Sequence, residues 1–415
     1  MRTEVAIVGG GPAGAASALY LGERGIKSIV VEESTFPRFH IGESMTGWAA
    51  EKIRDLGLGD EMTKNRFPIK RAGTVYGTTG SSKFDVPITR FDGEKRIDVE
   101  TYQVRRATFD KMLLDTAVER GAGYINGKAL DPLFDDTGAI RGVTVQTDAG
   151  IETIDAKALI DASGRKTWMS GLGLAAKRER GGFENQIAIY SHLTGVVRNP
   201  GSEEGNTLLF YKEVDHWAWL IPVDPDVVSL GIVTPSSYFK SKKESKEDFF
   251  WRELREMNPN LTVRVEAVVP VEEVHAAANF SYRIPEFSGK GWLCVGDAHR
   301  FIDPFFSFGI HLAMAEAEKA AVFLEQYLDG DLANPDRPFA AYEEICERGM
   351  NVVQDLMDSF WANPLGWGYL LHFTEHRGEI LDILGGRIYD EEPLEGLLAM
   401  RRIIEKSGRR QLAAV

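Results

Sequence analysis

Gly9, Gly11 and Gly14 stand in the spacing G-x-G-x-x-G, and the acidic Glu32 closes the next apolar run. Each residue type has a physical reason. Gly9 permits a sharp turn, Gly11 lets the backbone approach a pyrophosphate, and Gly14 lets a helix pack closely on a strand. The pyrophosphate would rest on the free N–H groups of the helix N-terminus. The Glu32 carboxylate would accept hydrogen bonds from a ribose hydroxyl pair. Glycines in this spacing are weak evidence alone. Here an apolar strand pattern precedes them, a helix follows, and the acid completes the set, so the chemistry is dinucleotide binding. Far along the chain, Asp297 ends the apolar run "GWLCVGD" (291–297). That separation does not suit a simple NAD fold. It suits FAD, with the adenosine half at the N-terminal segment and Asp297 at the ribityl chain; the alternative for Asp297 is a strand-end helix cap. A helix starting near Gly309 would aim its N–H groups at the flavin ring, where the reduced form carries negative charge. A third group is "WAWLIP" (217–222), with Trp217 and Trp219 on one side of a strand and Pro222 after them. Two such rings are either core or a rigid apolar wall that excludes water.

The elements that must position these residues follow from the apolar pattern. Residues 4–8 read as a buried strand and 27–33 as a second, joined by a helix that Ala13, Ala15, Ala16 and Ala18 keep slim and Gly25 ends. Residues 74–100 and 181–275 carry short alternating stretches, the pattern of antiparallel strands. The tail from about residue 310 is mainly helical, and "ANPLGWGY" breaks its period. The expected fold class is α/β: a Rossmann-like FAD-binding domain of the GR2 type, built from 1–73, 101–180 and 276–330. An antiparallel β-sheet substrate domain, 74–100 and 181–275, is inserted in it, and 331–415 form a helical C-terminal region.

Composition narrows the function classes. The 415 residues are 43% hydrophobic and 27% charged, the balance of a soluble globular protein. The N-terminus runs straight into a strand pattern without a secretory signal, and no apolar run is long enough to span a bilayer. A net charge of −14 makes nucleic acid a poor partner. The two cysteines, Cys294 and Cys346, lack metal-ligand spacing and make no disulfide framework, so no metal site and a reducing, cytoplasmic location are expected. The charged run "SKKESKEDFF" (241–250) reads as a solvated helix start.

Four stretches carry a family resemblance: "FPRFHIGESM" (36–45), "YQVRRATFDKMLLDTA" (102–117), "WAWLIP" (217–222) and "GDAHRFIDPFFSFGIHLA" (296–313). Together they resemble the flavin-dependent halogenases, a branch of the p-hydroxybenzoate-hydroxylase-like FAD-dependent monooxygenases. The likeness is closer to the phenol- and pyrrole-type members than to the tryptophan type. It spans most of the chain; the C-terminal end is less telling. The resemblance implies FAD reduced by a separate flavin reductase, a flavin C4a-hydroperoxide formed with oxygen, and a halide ion, chloride or bromide, that becomes hypohalous acid. That species would reach an electron-rich aromatic ring (phenol, pyrrole or indole, free or tethered to a carrier protein) through a tunnel.

The resemblance also assigns residues. Lys70, in "RFPIKRAGTVYG", matches the catalytic lysine, although Lys64, Arg66 and Arg71 nearby also suit an exposed basic loop. Trp217 and Trp219, with Pro222, match the wall between flavin and substrate. Arg38, Ser44 and Arg106 are expected flavin contacts, with Gly9, Gly11, Ala13, Gly14, Glu32, Asp297, Gly309 and Ile310. Backbone N–H groups of Phe308 and Gly309 would hold the halide. Phe308 departs from the Ser or Thr usual there and would narrow or reshape the pocket. His299 and Arg300 replace small or apolar residues and either touch the flavin's polar edge or lie on the surface. "DASGR" (161–165) either closes the adenosine side or is a plain strand-to-turn connection. Asn279, in "NFSY", replaces the carboxylate through which some relatives attach FAD, so non-covalent FAD is expected there. The aromatic residues Trp361, Trp367, Tyr369 and Phe373 would cover the substrate site or form a dimer contact. The rival readings are an aromatic hydroxylase that shares the fold, a geranylgeranyl-reductase-like flavoprotein, and a flavin-binding protein that is not an enzyme.

Overall fold

A computed structural model describes residues 1–92, 95–182, 185–278, 281–331 and 334–407. Asn279 lies outside the described residues. The strand Val5–Val8, buried at every position, pairs in parallel with Ser28–Glu32 on one side and Ala158–Asp161 on the other. Gly123–Asn126 and Trp292–Cys294 extend this sheet, and Ser288–Gly289 closes one edge. Strands covered on both faces read as unbroken apolar runs, which is why these were legible as strands. The helix Pro12–Glu23 lies on the sheet, and its small buried alanines let the long helix Gly309–Asp329 pack against it.

Residues 128–155 add a layer not set apart in the sequence reading, a three-stranded antiparallel sheet of Lys128–Phe134, Ile140–Thr147 and Gly150–Asp155. A larger sheet of eight strands forms the other half. It joins Ala72–Tyr76 and Lys83–Pro87 to strands between Gln186 and Ala278. The seam is a parallel pairing of Ala72–Tyr76 with Thr207–Glu213. At its centre runs His216–Pro222, buried at all seven positions. Alternation sends its side chains to two cores. Trp217, Trp219 and Ile221 join Phe305 and Phe360, while Ala218 and Leu220 meet Phe249 and Phe250. The latter pair comes from the helix Lys246–Glu256, whose first turn Ser245 caps by accepting from the Asp248 N–H.

The C-terminal helices are Ala340–Ala362, Pro364–Phe373, Arg377–Gly385 and Glu395–Ser407. The break expected at "ANPLGWGY" is only a joint. Pro364 lacks an N–H and ends the preceding helix, yet its fixed φ suits the first turn of the next one, which Asn363 caps. Trp361 and Trp367 are buried among Phe305, Phe306 and Phe360. Leu365, Tyr369 and Phe373, spaced by four, face solvent. Among the described residues no helix is long and apolar enough to cross a membrane.

Candidate active site

A cavity of about 830 Å³ lies between the two sheets. The first glycine turn forms one end of it, with Gly9, Gly11, Ala13 and Glu32 on the wall. Gly9 has φ +105°, and a Cβ there would stand 2.4 Å from the Ala162 carbonyl oxygen. A Cβ on Gly14 would stand 1.8 Å from the Gly9 oxygen, so both positions require glycine. Gly14 lies behind the wall. Gly11 caps the Pro12–Glu23 helix in an extended conformation without a side-chain cap, which leaves the first-turn N–H groups for an anion. Glu32 is held in place by its own loop: one carboxylate oxygen accepts from the Gly10 N–H and the other from the Ser34 N–H, each at 2.7 Å. Each oxygen keeps a further lone pair.

"DASGR" does two things at once. Asp161 is buried and accepts from the Ser163 and Met169 N–H groups, while Ala162, Ser163, Gly164 and Arg165 face the cavity. Arg38, Ser44 and Arg106 also line it. The Arg106 guanidinium is committed to Asp110 at 2.6 and 2.9 Å and to the Ile41 and Gly42 carbonyls at 2.8 and 3.2 Å. Arg38 joins the same carboxylate at 3.4 Å. Arg106 thereby fixes the backbone of the 36–45 segment as well as facing the cavity.

Asp297 lies on the cavity wall on a turn with Gly296 at φ +62°. Burial pushes its carboxyl up to about 6 against the pull of Arg106 and Arg165. Glu316, fully buried on the Gly309–Asp329 helix, holds this turn. Its carboxylate accepts from the Gly296 N–H at 2.6 Å and bonds His299 Nε2 at 2.9 Å. His299 is neither of the two things expected of it. It is buried, off the cavity wall, and stacked on Phe287 with ring centres 3.9 Å apart. Arg300 is also no surface residue; it is buried at the wall and donates to Glu347 and Asn351.

Trp217 and Trp219 stand side by side on the wall, with ring centres 5.9 Å apart. The Trp219 Nε1–H donates to Ser229 Oγ at 3.1 Å, and Trp217 meets Phe305 edge to face. Pro222 ends the strand away from the wall, opposite Val228. Phe308, Gly309 and Ile310 line the cavity. Phe308 is buried in the Trp217 core and sits just before the Gly309–Asp329 helix, which has no side-chain cap. The first-turn amides of that helix thus have no intrahelical acceptor.

Lys70 is elsewhere. It is buried, on a short strand Ile69–Lys70 paired with Thr101–Tyr102. Lys64 by contrast is exposed and pairs with Glu61, and Arg71 pairs with Glu100 at the surface. The Lys70 Nζ donates to Ser44 Oγ at 2.8 Å and to the Met45 carbonyl at 3.2 Å. Burial alone lowers its pKa to about 7. Lys70 lines a second cavity of about 50 Å³, with Phe84, Phe306 and Trp367. Thr207, Leu209, Phe305 and Ser307 line both cavities and form the partition between them.

The residues present fit FAD. The larger cavity has the size of a cofactor site. A glycine turn and an uncapped helix N-terminus suit the pyrophosphate, Glu32 suits a ribose, and Asp297 and a second uncapped helix N-terminus, at Gly309, also line the wall. Comparison with known proteins agrees. Residues 2–356 match the family described as FAD binding domain. The chain is 37% identical over 410 residues to the 1H-pyrrole-2-carbonyl-[peptidyl-carrier protein] brominase of Pseudoalteromonas luteoviolacea, covering 99% of this chain and 98% of that one. It is 28% identical to the corresponding chlorinase of Pseudomonas fluorescens, over 97% and 93% of the two chains. The structure of the flavin-dependent brominase Bmp2 matches with a TM-score of 0.91 at 35% identity, covering 99% of this chain and all of that one. The chain therefore belongs to the FAD-binding-domain family and, within it, to the flavin-dependent halogenases. It is an oxidoreductase that uses FAD and halide to halogenate an aromatic substrate.

Proposed function

We propose that the protein halogenates a pyrrole ring tethered to a carrier protein, using bromide or chloride, with Lys70 as the amine that delivers the halogen. The observation that carries the reading is a buried lysine amine across a thin partition from a cavity fit for FAD. The pyrrole and its carrier are taken from the two relatives named above, which span nearly the whole chain.

Segments 1–73, 101–180 and 276–330 hold the cofactor in this reading, and strands of 74–100 and 181–275 supply the substrate wall. The amides after Gly11 hold the pyrophosphate; Glu32 holds the adenosine ribose and Asp297 the ribityl chain. Arg38, Ser44 and Arg106 border the flavin. Bound FAD, reduced by a separate flavin reductase, supplies with oxygen the oxidant that turns halide into hypohalous acid. Backbone amides of Phe308 and Gly309 hold the halide, and the Phe308 ring sets how much room it has. Trp217 and Trp219 keep the substrate ring and bulk water out of the FAD cavity. A neutral Lys70 amine takes the halogen from hypohalous acid and releases water; its charged form donates a hydrogen bond to that acid instead. Two buried free thiols, Cys294 and Cys346, are compatible with a reducing cytoplasm.

The test is mass spectrometry of a pyrrole-loaded carrier protein, free pyrroles, phenols and indoles, incubated with enzyme, FAD, flavin reductase, NADH, oxygen and halide. A halogen isotope pattern on the carrier-bound ring, lost in Lys70→Ala, is the expected result. Halogen on free phenols alone would sink the carrier reading. A gain of one oxygen would sink the delivery role of the lysine.

A further inference from the structure

We propose that the hydroxyls of Ser44 and Thr207 form a proton relay between the Lys70 amine and the FAD cavity. The inference rests on reading Lys70 as the halogen-delivering amine. Ser44 Oγ accepts from Lys70 Nζ at 2.8 Å and lies 3.0 Å from Thr207 Oγ1. Gln103 Nε2 is 2.8 Å from the same Thr207 oxygen and 3.1 Å from the Gly205 carbonyl. Gly205 can only accept, so the Gln103 amide nitrogen, not its oxygen, is the group that faces Thr207. Gln103 is therefore a fixed donor to Thr207.

That donor sets the direction of the chain. With Lys70 charged, its N–H donates to Ser44, Ser44 donates to Thr207, and the Thr207 hydrogen points to a cavity. Once a proton has passed along the row, every bond in it is reversed while Gln103 stays put; before that, a neutral amine keeps its N–H bonds to Ser44 and Met45 and has its lone pair free. These are the two states of a relay. Ser44 and Thr207 both line the FAD cavity, and Thr207 also lines the Lys70 cavity. Lys70, Ser44, Thr207 and Gln103 are each at most 5% exposed, so bulk water does not compete for the proton. The other Lys70 acceptor, the Met45 carbonyl, has no proton to pass on. The Lys70 cavity is walled by apolar side chains from the sheet and the C-terminal helices, with the hydroxyls of Thr46, Thr207 and Ser307. Among the described residues no other charged or titratable group faces it.

Each turnover needs such a path. When the amine attacks hypohalous acid, the N–halogen bond forms, the halogen–oxygen bond breaks, and hydroxide leaves. The adduct then carries a surplus proton. Ser44 takes that proton and gives its own to Thr207, whose hydrogen neutralises the hydroxide to water. Attack by the aromatic ring breaks the nitrogen–halogen bond and leaves the nitrogen one proton short; the proton lost from the ring, carried by water, returns to it and restores the neutral amine.

The experiment uses the reconstituted holoenzyme with flavin reductase, bromide and the aromatic substrate that it halogenates. Thr207→Val should lower kcat for halogenated product by about tenfold or more, with oxygen uptake, flavin content and KM kept. Thr207→Ser should restore it. Ser44→Ala, compared per bound flavin, should lower kcat as far as Thr207→Val does, and the double variant should be no worse than either, because one broken link stops the relay. A second readout needs no substrate: NMR of ¹⁵N-lysine-labelled protein follows exchange of the Lys70 Nζ hydrogens with water, which should slow in Thr207→Val and recover in Thr207→Ser. Unchanged exchange in Thr207→Val, equal loss in the Ser and Val variants, or multiplying losses in the double variant would each overturn the relay. Absence of halogenated product from the wild type would count against the proposed function, while the exchange rates would still decide the relay.

Discussion

The indole of Trp219 lies against the bare backbone of Gly231, its register partner on the next strand; a Cβ on Gly231 would stand 2.1 Å from Cζ2 of that ring. The glycine makes room for the wall. Gly231→Ala should displace the ring from the strand, costing about 1–3 kcal/mol of stability. Urea unfolding measures the loss. In the proposed function, more oxygen inserted into product in place of halogen would accompany it, because Trp219 is part of the wall of the FAD cavity.

Lys70→Met replaces the amine with an apolar chain of similar length. Halogenated product should fall by about 10²-fold or more while FAD binding and oxygen uptake persist. A variant that keeps wild-type turnover would remove Lys70 from the mechanism.

The same variant tests the Lys70 environment through pH. In the fold the amine loses its proton at about pH 7, far below the usual lysine range that holds in the unfolded chain. Across that window the unfolded chain binds more protons, so this group makes stability rise with pH from about 7 upward and contributes nothing to the slope at lower pH. Lys70→Met should flatten the rise. Unfolding midpoints measured on either side of neutrality, in wild type and variant, give the difference.

Glu316→Ala removes the acceptor shared by Gly296 and His299. A buried N–H left without a partner costs about 1–3 kcal/mol. The turn that presents Asp297 should loosen, and the FAD dissociation constant should rise while the Lys70 cavity stays intact. Titration of FAD fluorescence reads this directly. Glu316→Gln keeps an acceptor oxygen and should lose less.

Gly14→Ala puts a methyl group into the Gly9 carbonyl oxygen. The purified protein should carry no FAD and unfold at a lower temperature than the wild type. Retention of full flavin content would mean that the turn can rearrange.

The cofactor half of the site was legible because its parts obey spacing rules. Gly9, Gly11, Gly14 and Glu32 follow one another on a strand, a turn and a helix, and the strands are unbroken apolar runs. The Trp217 and Trp219 pair was legible as one face of a strand. Ser44, Gln103 and Thr207 had no such rule. They meet only because Ala72–Tyr76 pairs with Thr207–Glu213 and Ser44 bridges to Gln103, and a hydroxyl carries no periodic signature. Glu316 was hidden for a related reason: an acid in a helix reads as solvated until a second helix and a turn bury it. His299 was misread because its partner lies across that same turn. The helix Pro364–Phe373 is apolar nearly all round, so it gave no amphipathic period, and Pro364, which ends one helix, also starts the next. The three-stranded sheet of 128–155 alternates as strands do, but it falls between two strands of the parallel sheet, Gly123–Asn126 and Ala158–Asp161, and alternation alone does not separate it from them.

The space beside Lys70, about 50 Å³, has room for a few water molecules and not for an aromatic ring. In the proposed function, this space has to widen before a substrate ring can reach the Lys70 amine. Phe84, Trp367 and Leu384 are among the side chains that line it, and displacing such side chains makes capture of substrate slower than encounter. The enzyme's tempo is thus governed at the door, and a lag before the first product, shortened by higher substrate concentration, is the signature it should leave in a rapid-mixing trace.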